Sequence, residues 1–191
     1  IGVQSPNNLD YLLKQNTKLK TKLGILWNWM REDRNQARCT IRLSETILKD
    51  KKIFVYAGNI GVAQGENTFL KVIQAFARHE NVGFLFVGRG SEMDQLKARV
   101  SEAKIKNVLF YPEIPSEQIN NLYAQCDAGI IVLDKRHKTH NIPGKFVSYM
   151  HSGLPVFGIV NSGNDLISIV QDHGLGYLSD ASKMTNLSSA A

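Results

Sequence analysis

Short apolar runs recur along the chain from residue 52 onward, and each is followed by a longer stretch in which polar residues are interspersed. The runs are rich in β-branched and aromatic residues and lack the polar alternation of a sheet with one solvated face. This pattern predicts strands that are buried on both faces of a sheet. The runs are KIFVYAG at 52–58, VGFLFVG at 82–88, NVLFYPEI at 107–114, AGIIVLD at 128–134 and LPVFGIV at 154–160.

The stretches between these runs have the periodicity of amphipathic helices. In NTFLKVIQAFARH, Phe69, Val72, Ile73 and Phe76 recur at i, i+3, i+4 and i+7, which gives one apolar stripe. Strands that alternate with helices predict an α/β fold, a doubly wound parallel sheet of the Rossmann-like kind. The later helices are predicted from a capping box at Ser91 and Asp94, from an N-cap at Ser116, and in GKFVSYMHSG, which Gly153 ends.

The rest of the chain divides into segments with different compositions. The apolar stretch LGILWNW, which contains Trp27 and Trp29, is typical of a buried strand. The chain begins at Ile1 rather than Met, so we expect it to be part of a longer protein. The predicted division is a strand–helix–strand segment at 1–28, a charged linker at 29–51, the main domain at 52–180 and a small polar tail at 181–191 that we expect to be disordered.

Composition narrows the classes of function. The apolar runs are shorter than the roughly 18 residues that a membrane-spanning helix needs, and no signal peptide is recognisable. Cys39 and Cys126 stand in no metal or redox spacing, which favours a reducing, cytoplasmic compartment. Residues 14–52 hold eleven Lys or Arg against four Asp or Glu. This basic segment could be a solvated linker or a peripheral contact with anionic lipid, and no nucleic-acid-binding motif accompanies it.

Two glycine-rich turns follow the first two predicted strands. The carboxyl ends of parallel strands share one edge of the sheet, where such folds bind ligands. Gly58 and Gly61 in AGNIGVAQG would let backbone amides approach an anion, although glycines that only satisfy a tight turn are an equal alternative. Neither common nucleotide fingerprint is present. The second turn, VGRGSE, adds Arg89, whose forked guanidinium suits a diphosphate.

A third loop, IPGK, places a lysine at the start of a predicted helix. A cation is unfavourable next to the positive end of the helix dipole, and a bound phosphate would offset that mismatch. Lys145 is therefore a candidate phosphate ligand, on a loop that contains Pro143 and Gly144.

A metal site is the weaker interpretation of the loop DKRHKTH. Asp134, His137 and His140 are spaced at intervals of three, but the lysine and arginine residues between them would repel a cation. We expect no metal and no cofactor.

Four motifs in order, GNIGVAQG, FLFVGRGSEMDQL, NVLFYPEIPSEQINNLYAQCDAGIIVL and IPGKFVSYMHSGLPVFG, resemble the donor-binding, C-terminal domain of GT-B glycosyltransferases of family 4. The resemblance covers roughly residues 52–178 and is strongest to the branch that builds bacterial O-antigen, capsule and related polysaccharides, including N-acetylfucosaminyl transferases. Residues 1–28 resemble the end of the family's N-terminal domain, with Asn28 at the position of a common turn asparagine.

The resemblance also implies roles for individual residues. Neutral Asn59 and Gln64 stand where the wider family has an Arg and a Lys, and His140 and Ser148 stand where it has two glutamates. Lys145 would then supply the charge for the donor diphosphate, with Arg89 as a second candidate. The implied donor-binding set is Gly58, Asn59, Ile60, Gly61, Gln64, Gly88, Arg89, Gly90, Glu113, Ile114, His140, Pro143, Gly144, Lys145 and Ser148, of which Glu113 and Ile114 would contact the base.

The function implied by this resemblance is retaining, metal-independent transfer of a hexosyl or N-acetylhexosaminyl group from a nucleotide-diphospho-sugar, UDP-linked, to a bacterial surface polysaccharide or lipid-linked glycan. The acceptor would bind a missing N-terminal domain, so the isolated chain should be inactive. The alternatives are a sugar-nucleotide epimerase of the same architecture and a nucleotide-binding module without chemistry. The sequence shows few carboxylates on the predicted edge for an epimerase to use.

Overall fold

A six-stranded parallel sheet forms the centre of the protein. The computed structural model describes residues 1–30, 37–136 and 141–183. The strands of the sheet are β3 (Lys52–Ala57), β4 (Val82–Val87), β5 (Val108–Tyr111), β6 (Ala128–Val132), β7 (Val156–Val160) and β8 (Gly176–Asp180). Their order in the sheet is β5-β4-β3-β6-β7-β8. The doubly wound parallel sheet that the apolar runs predict is therefore confirmed.

Helices cover both faces of this sheet and bury two separate apolar cores. Neighbouring residues on a strand point to opposite faces, so Val55 belongs to one core and Tyr56 to the other. The first core is closed by α4 (Ile119–Tyr123), α5 (Gly144–His151) and α6 (Leu166–Asp172), and the second by α2 (Glu66–Ala75) and α3 (Met93–Glu102).

Two predicted helix caps are wrong. Helix α3 begins at Met93 with Glu92 at the N-cap, and no side chain caps it. The Glu92 carboxylate instead accepts a hydrogen bond of 2.8 Å from the backbone of Glu66, at the start of α2. Ser116 begins a 3₁₀ turn rather than capping a helix. In the turns that contain these serines, backbone carbonyls already accept the first amide hydrogen bonds. The Met93 amide donates to the Gly90 carbonyl, and the Gln118 amide donates to the Pro115 carbonyl.

The N-terminal segment contains a second, two-stranded sheet, in which β1 (Gly2–Val3) and β2 (Gly24–Ile25) pair in parallel beside α1 (Pro6–Gln15). The prediction that LGILWNW forms a buried strand is wrong. Only Gly24 and Ile25 of this stretch belong to a strand, and most of its side chains are exposed. Trp27 is 49% and Trp29 is 75% exposed. Within the described residues, no third strand pairs with β1 or β2.

The described part of the predicted linker packs closely against the main domain. Ile41, Leu43 and Leu48 are buried in the first core. The Gln125 side chain accepts from the Leu43 amide and donates to the Ile41 carbonyl, both at 3.0 Å. Residues 37–51 are therefore not a solvated linker.

The predicted tail at 181–191 follows β8, and most of it lies outside the described residues. In the part of the chain that the structure describes, no helix is both long and apolar enough to cross a bilayer.

Candidate active site

The candidate site lies where the order of strands in the sheet reverses. The chain runs from β3 to β5 in one direction and from β6 to β8 in the other, so a crevice opens between the carboxyl ends of β3 and β6. A cavity of about 320 Å³ lies there. Its lining residues are Tyr56, Gln64, Ile131, Val132, Leu133, Asn141, Pro143, Gly144 and Lys145.

The two glycine turns pack directly against each other beside this cavity. The amides of Gly58 and Ile60 donate to the carbonyls of Val87 and Arg89, at 2.7 and 2.8 Å. A Cβ atom on Gly88 would lie 2.1 Å from the Gly58 carbonyl oxygen. A Cβ atom on Gly90 would lie 2.0 Å from the Ile60 carbonyl oxygen. These glycines are required for the contact between the loops, and the Gly58 and Ile60 amides are already paired within the protein.

Two neutral side chains, that of Tyr56 in β3 and that of Gln64 in the first loop, also stabilise this loop. Gln64 accepts a hydrogen bond from the Gly61 amide through Oε1 at 3.1 Å, and it lines the cavity. The Tyr56 hydroxyl donates to the Asn59 carbonyl oxygen at 2.7 Å. Tyr56 is absent from the set of site residues that the sequence predicts, although a tyrosine near the end of a buried strand is a recognisable signal.

Lys145 brings a positive charge into the crevice. Its Nζ atom lies 4.7 Å from the centre of the Tyr56 ring and 2.7 Å from where a Cβ atom on Gly58 would be. The side chain is half-buried, and burial lowers the pKa of its ammonium group. Among the residues that the structure describes, no carboxylate pairs with it. A desolvated cation without a carboxylate partner favours binding of an anion.

Helix α5 holds Lys145 in this position through a buried tyrosine one turn further on. The Tyr149 hydroxyl donates to the Val55 and Ile130 carbonyls, at 3.2 and 3.3 Å. Its ring occupies the space that a side chain on Gly129 would fill, with ring carbons 2.4 Å from an added Cβ atom. Helix α5 is therefore fastened to both strands that border the crevice.

Arg89 and Glu113, both predicted to bind the donor, pair with each other at the rim. Arg89 Nε lies 3.0 Å from a Glu113 carboxylate oxygen, and the two side chains are 81% and 58% exposed. A surface pair of this kind contributes little to stability and can exchange partners readily. Ile114 is half-buried and packs against the first core.

Ser148 and His140 complete the predicted set. The Ser148 hydroxyl donates to the Gly144 carbonyl, one turn back in the same helix, at 3.4 Å. His140 and His137 lie outside the described residues. The described ranges contain no group of three metal-ligating side chains. The donor-binding roles of the whole set stay predictions.

Asp134, which the sequence suggests only as a possible metal ligand, lies against the first glycine loop. Arg136 binds both of its carboxylate oxygens at 2.9 Å and so lowers its pKa. The Asp134 amide donates to the Ala63 carbonyl at 3.0 Å, and its Oδ2 lies 2.5 Å from where a Cβ atom on Gly65 would be. Asp134 therefore fastens the first glycine loop to the end of β6.

Comparison with known sequences identifies relatives of this chain. The family model described as Glycosyl transferases group 1 matches residues 38–190. The probable glycosyltransferase WbjE of Pseudomonas aeruginosa is 26% identical over 129 residues, which are 68% of this chain and 32% of the relative. This chain thus spans about a third of the length of that protein.

Solved structures share the fold at low sequence identity. A point mutant of S. aureus TarM has a TM-score of 0.71 and 12% identity, over 99% of this chain and 35% of that one. The lipopolysaccharide outer core galactosyltransferase WaaB has a TM-score of 0.70 and 14% identity, over 99% and 50%. Anabaena Alr3699/HepE, in complex with UDP and glucose, has a TM-score of 0.68 and 17% identity, over 98% and 51%. The family match covers most of the chain, and the chain therefore belongs to the group 1 glycosyl transferases.

Proposed function

We propose that this chain is the donor-binding part of a glycosyltransferase, and that its crevice binds the diphosphate of a UDP-sugar. The observation that carries the proposal is Lys145, a half-buried cation at the cavity without a carboxylate partner among the described residues. A diphosphate is the anion that the family's donors offer. Anabaena HepE, whose structure contains UDP and glucose, has the same fold.

Lys145 stabilises the leaving group in this proposal. When the bond between the sugar and the diphosphate breaks, negative charge develops on the phosphate oxygens, and a preorganised ammonium group in a crevice of low dielectric stabilises it. Arg89 can add a second charge from the rim if it exchanges Glu113 for phosphate. Transfer is retaining and needs no metal ion or cofactor in this scheme, and the Glu113–Ile114 backbone contacts the base.

The acceptor of the proposed reaction is a bacterial surface polysaccharide or a lipid-linked glycan, such as an O-antigen or capsule precursor. WbjE is a probable glycosyltransferase, and WaaB, which has the same fold, is a lipopolysaccharide outer core galactosyltransferase; both support this proposal. Acceptor binding falls to a part of the protein beyond this chain, and the enzyme works in the cytoplasm, in peripheral contact with the membrane.

Calorimetric titration of the chain with UDP, GDP, dTDP and uridine tests the proposal. We expect UDP to bind and uridine to bind far more weakly, because uridine lacks the diphosphate that Lys145 would contact. UDP-sugars should then rank by their fit to the crevice. Absence of binding by every nucleoside diphosphate would exclude the proposed site.

The affinity for UDP should fall as the pH rises from neutrality toward about 10. Burial lowers the pKa of Lys145, so its charge is lost at a lower pH than that of a solvated lysine. A terminal phosphate, with a second pKa of about 6, stays ionised throughout this range. The Lys145→Arg variant keeps its charge and should lose less affinity. Titrations at several pH values that give parallel curves for both proteins would contradict this role.

A further inference from the structure

Amide side chains from separate parts of the chain bind the loop that immediately precedes Lys145. Asn28, in the N-terminal segment, donates from Nδ2 to the Ile142 carbonyl oxygen at 2.9 Å. The Ile142 side chain is 5% exposed and belongs to the first core. The bond therefore ends on a stretch of backbone that lies beside the core and next to the cavity.

Further hydrogen bonds hold the preceding residue, Asn141. Asn8 in helix α1 donates to the Asn141 side-chain oxygen at 3.3 Å. Asn164, which is 3% exposed, donates to the Asn141 carbonyl at 3.5 Å. Two of the three side chains that hold this loop thus come from the N-terminal segment, before the start of the family match at residue 38.

A displacement of this loop would be passed on to Lys145. Pro143 follows Ile142 and serves as the N-cap of α5, with φ −60° and ψ 135°. Because the proline ring fixes φ, the connection from Ile142 to the first turn of the helix is stiff. Lys145 lies in that first turn, and its ammonium group reaches back to the Tyr56 ring.

We infer that Asn28 is a positioning residue for the diphosphate site and acts through the Ile142 carbonyl on the placement of Lys145. This inference rests on the proposed function. It makes donor binding depend on the N-terminal segment, which supplies no lining residue of the cavity. Without Asn28 the Ile142 carbonyl loses its donor, the start of α5 becomes less constrained, and Lys145 occupies its binding position for less of the time.

A matched control separates positioning from general stability. Asn7 donates from Nδ2 to the Gly163 carbonyl at 2.7 Å and so joins the N-terminal segment to the main domain as Asn28 does. Its bond ends on Gly163, after β7 and next to Asn164, and not on a backbone atom of the loop that precedes Lys145. Leucine has the same number and branching of side-chain heavy atoms as asparagine but is somewhat larger and has no amide, so Asn28→Leu and Asn7→Leu each remove one of these bonds.

The experiment measures UDP affinity by calorimetry for Asn28→Leu, Asn7→Leu, Lys145→Ala and the double variant Asn28→Leu/Lys145→Ala. Thermal unfolding is recorded for each protein. If Asn28→Leu does not fold, Asn28→Ser takes its place as the variant that removes the amide. We expect Asn28→Leu to weaken UDP binding about fivefold, Asn7→Leu to leave it unchanged, and Asn28→Leu to have no further effect once Lys145 is absent.

The outcomes separate the two hypotheses. Wild-type affinity in Asn28→Leu, an equal loss in Asn7→Leu, or a full fivefold loss in the Lys145→Ala background would overturn the positioning role. If Lys145→Ala weakens binding while Asn28→Leu does not, the proposed function stands and only this inference fails. If the unchanged protein does not bind UDP, both fail.

Discussion

Replacing Lys145 with alanine is expected to weaken UDP binding by roughly 10- to 100-fold, the usual contribution of a hydrogen bond to a charged group. The ammonium group is half-buried and has no carboxylate partner among the described residues, so its interaction with a diphosphate would not be shared with a competing ion pair. The fold should survive, because removing a cation from a place where burial already disfavours its charge relieves a desolvation cost. Calorimetry measures the affinity, and thermal unfolding confirms the fold.

Two further variants make this result specific to Lys145. Arg89→Ala should lower the affinity about threefold or less, on the order of a surface ion pair, because Arg89 is exposed and already paired with Glu113. Lys97→Ala removes a lysine that pairs with Asp94 on helix α3, outside the cavity lining, and should change nothing. If Lys97→Ala and Lys145→Ala lower the affinity equally, the effect is one of net charge, and Lys145 is not a ligand.

The sheet could be predicted from the sequence because its strands are buried on both faces. In VGFLFVG, Leu85 faces one core and Phe84 and Phe86 face the other, so the run has no polar position to mistake for a loop. The boundaries were less accurate: the run at 107–114 contains a strand only at Val108–Tyr111. Proline at 112 supplies no amide for the ladder, which limits the strand at that end.

The burial of residues 37–51 could not be predicted because charge hides their apolar pattern. Cys39, Ile41 and Leu43 alternate with polar residues and are all buried, a period-two signal that the surrounding Arg residues obscured. Their burial also depends on Gln125, whose side chain binds the backbone at Ile41 and Leu43 across a long sequence separation. No local pattern indicates such a partner.

For the site, the sequence indicated the loops but not the contacts between them. Gly58, Arg89 and Lys145 could be assigned to one edge because each lies after a buried strand, at the end where the carboxyl ends of the parallel strands meet. That the Lys145 ammonium rests on the Tyr56 ring is a tertiary contact between α5 and β3. Nothing in the sequence indicated that Arg89 would bind Glu113, or that the amides of the first glycine loop would be paired with the neighbouring strand and loop.

Gly88→Ala is expected to lower the free energy of unfolding by about 3 kcal/mol or more, from backbone strain and overpacking together. Gly88 has φ +147°, a conformation that L-residues with side chains rarely adopt. Its added methyl group would lie 2.1 Å from the Gly58 carbonyl oxygen, which is backbone and cannot rotate away. The two glycine loops must then separate, so UDP binding should be lost together with stability. A loss of this size corresponds to roughly 6–12 °C in the melting temperature of a domain of this length.

Gly144→Ala is the matched control for this prediction, because it adds the same methyl group at the same edge of the sheet. No heavy atom lies within 4 Å of a Cβ atom built on Gly144, and this residue begins helix α5, where alanine is the better helix former. Its melting temperature should equal or exceed that of the unchanged protein. Calorimetric unfolding of both variants decides whether the contact between the loops is obligatory. If the Gly88→Ala protein is as stable as the Gly144→Ala protein, the loops can separate without cost, and their packing does not require glycine at position 88.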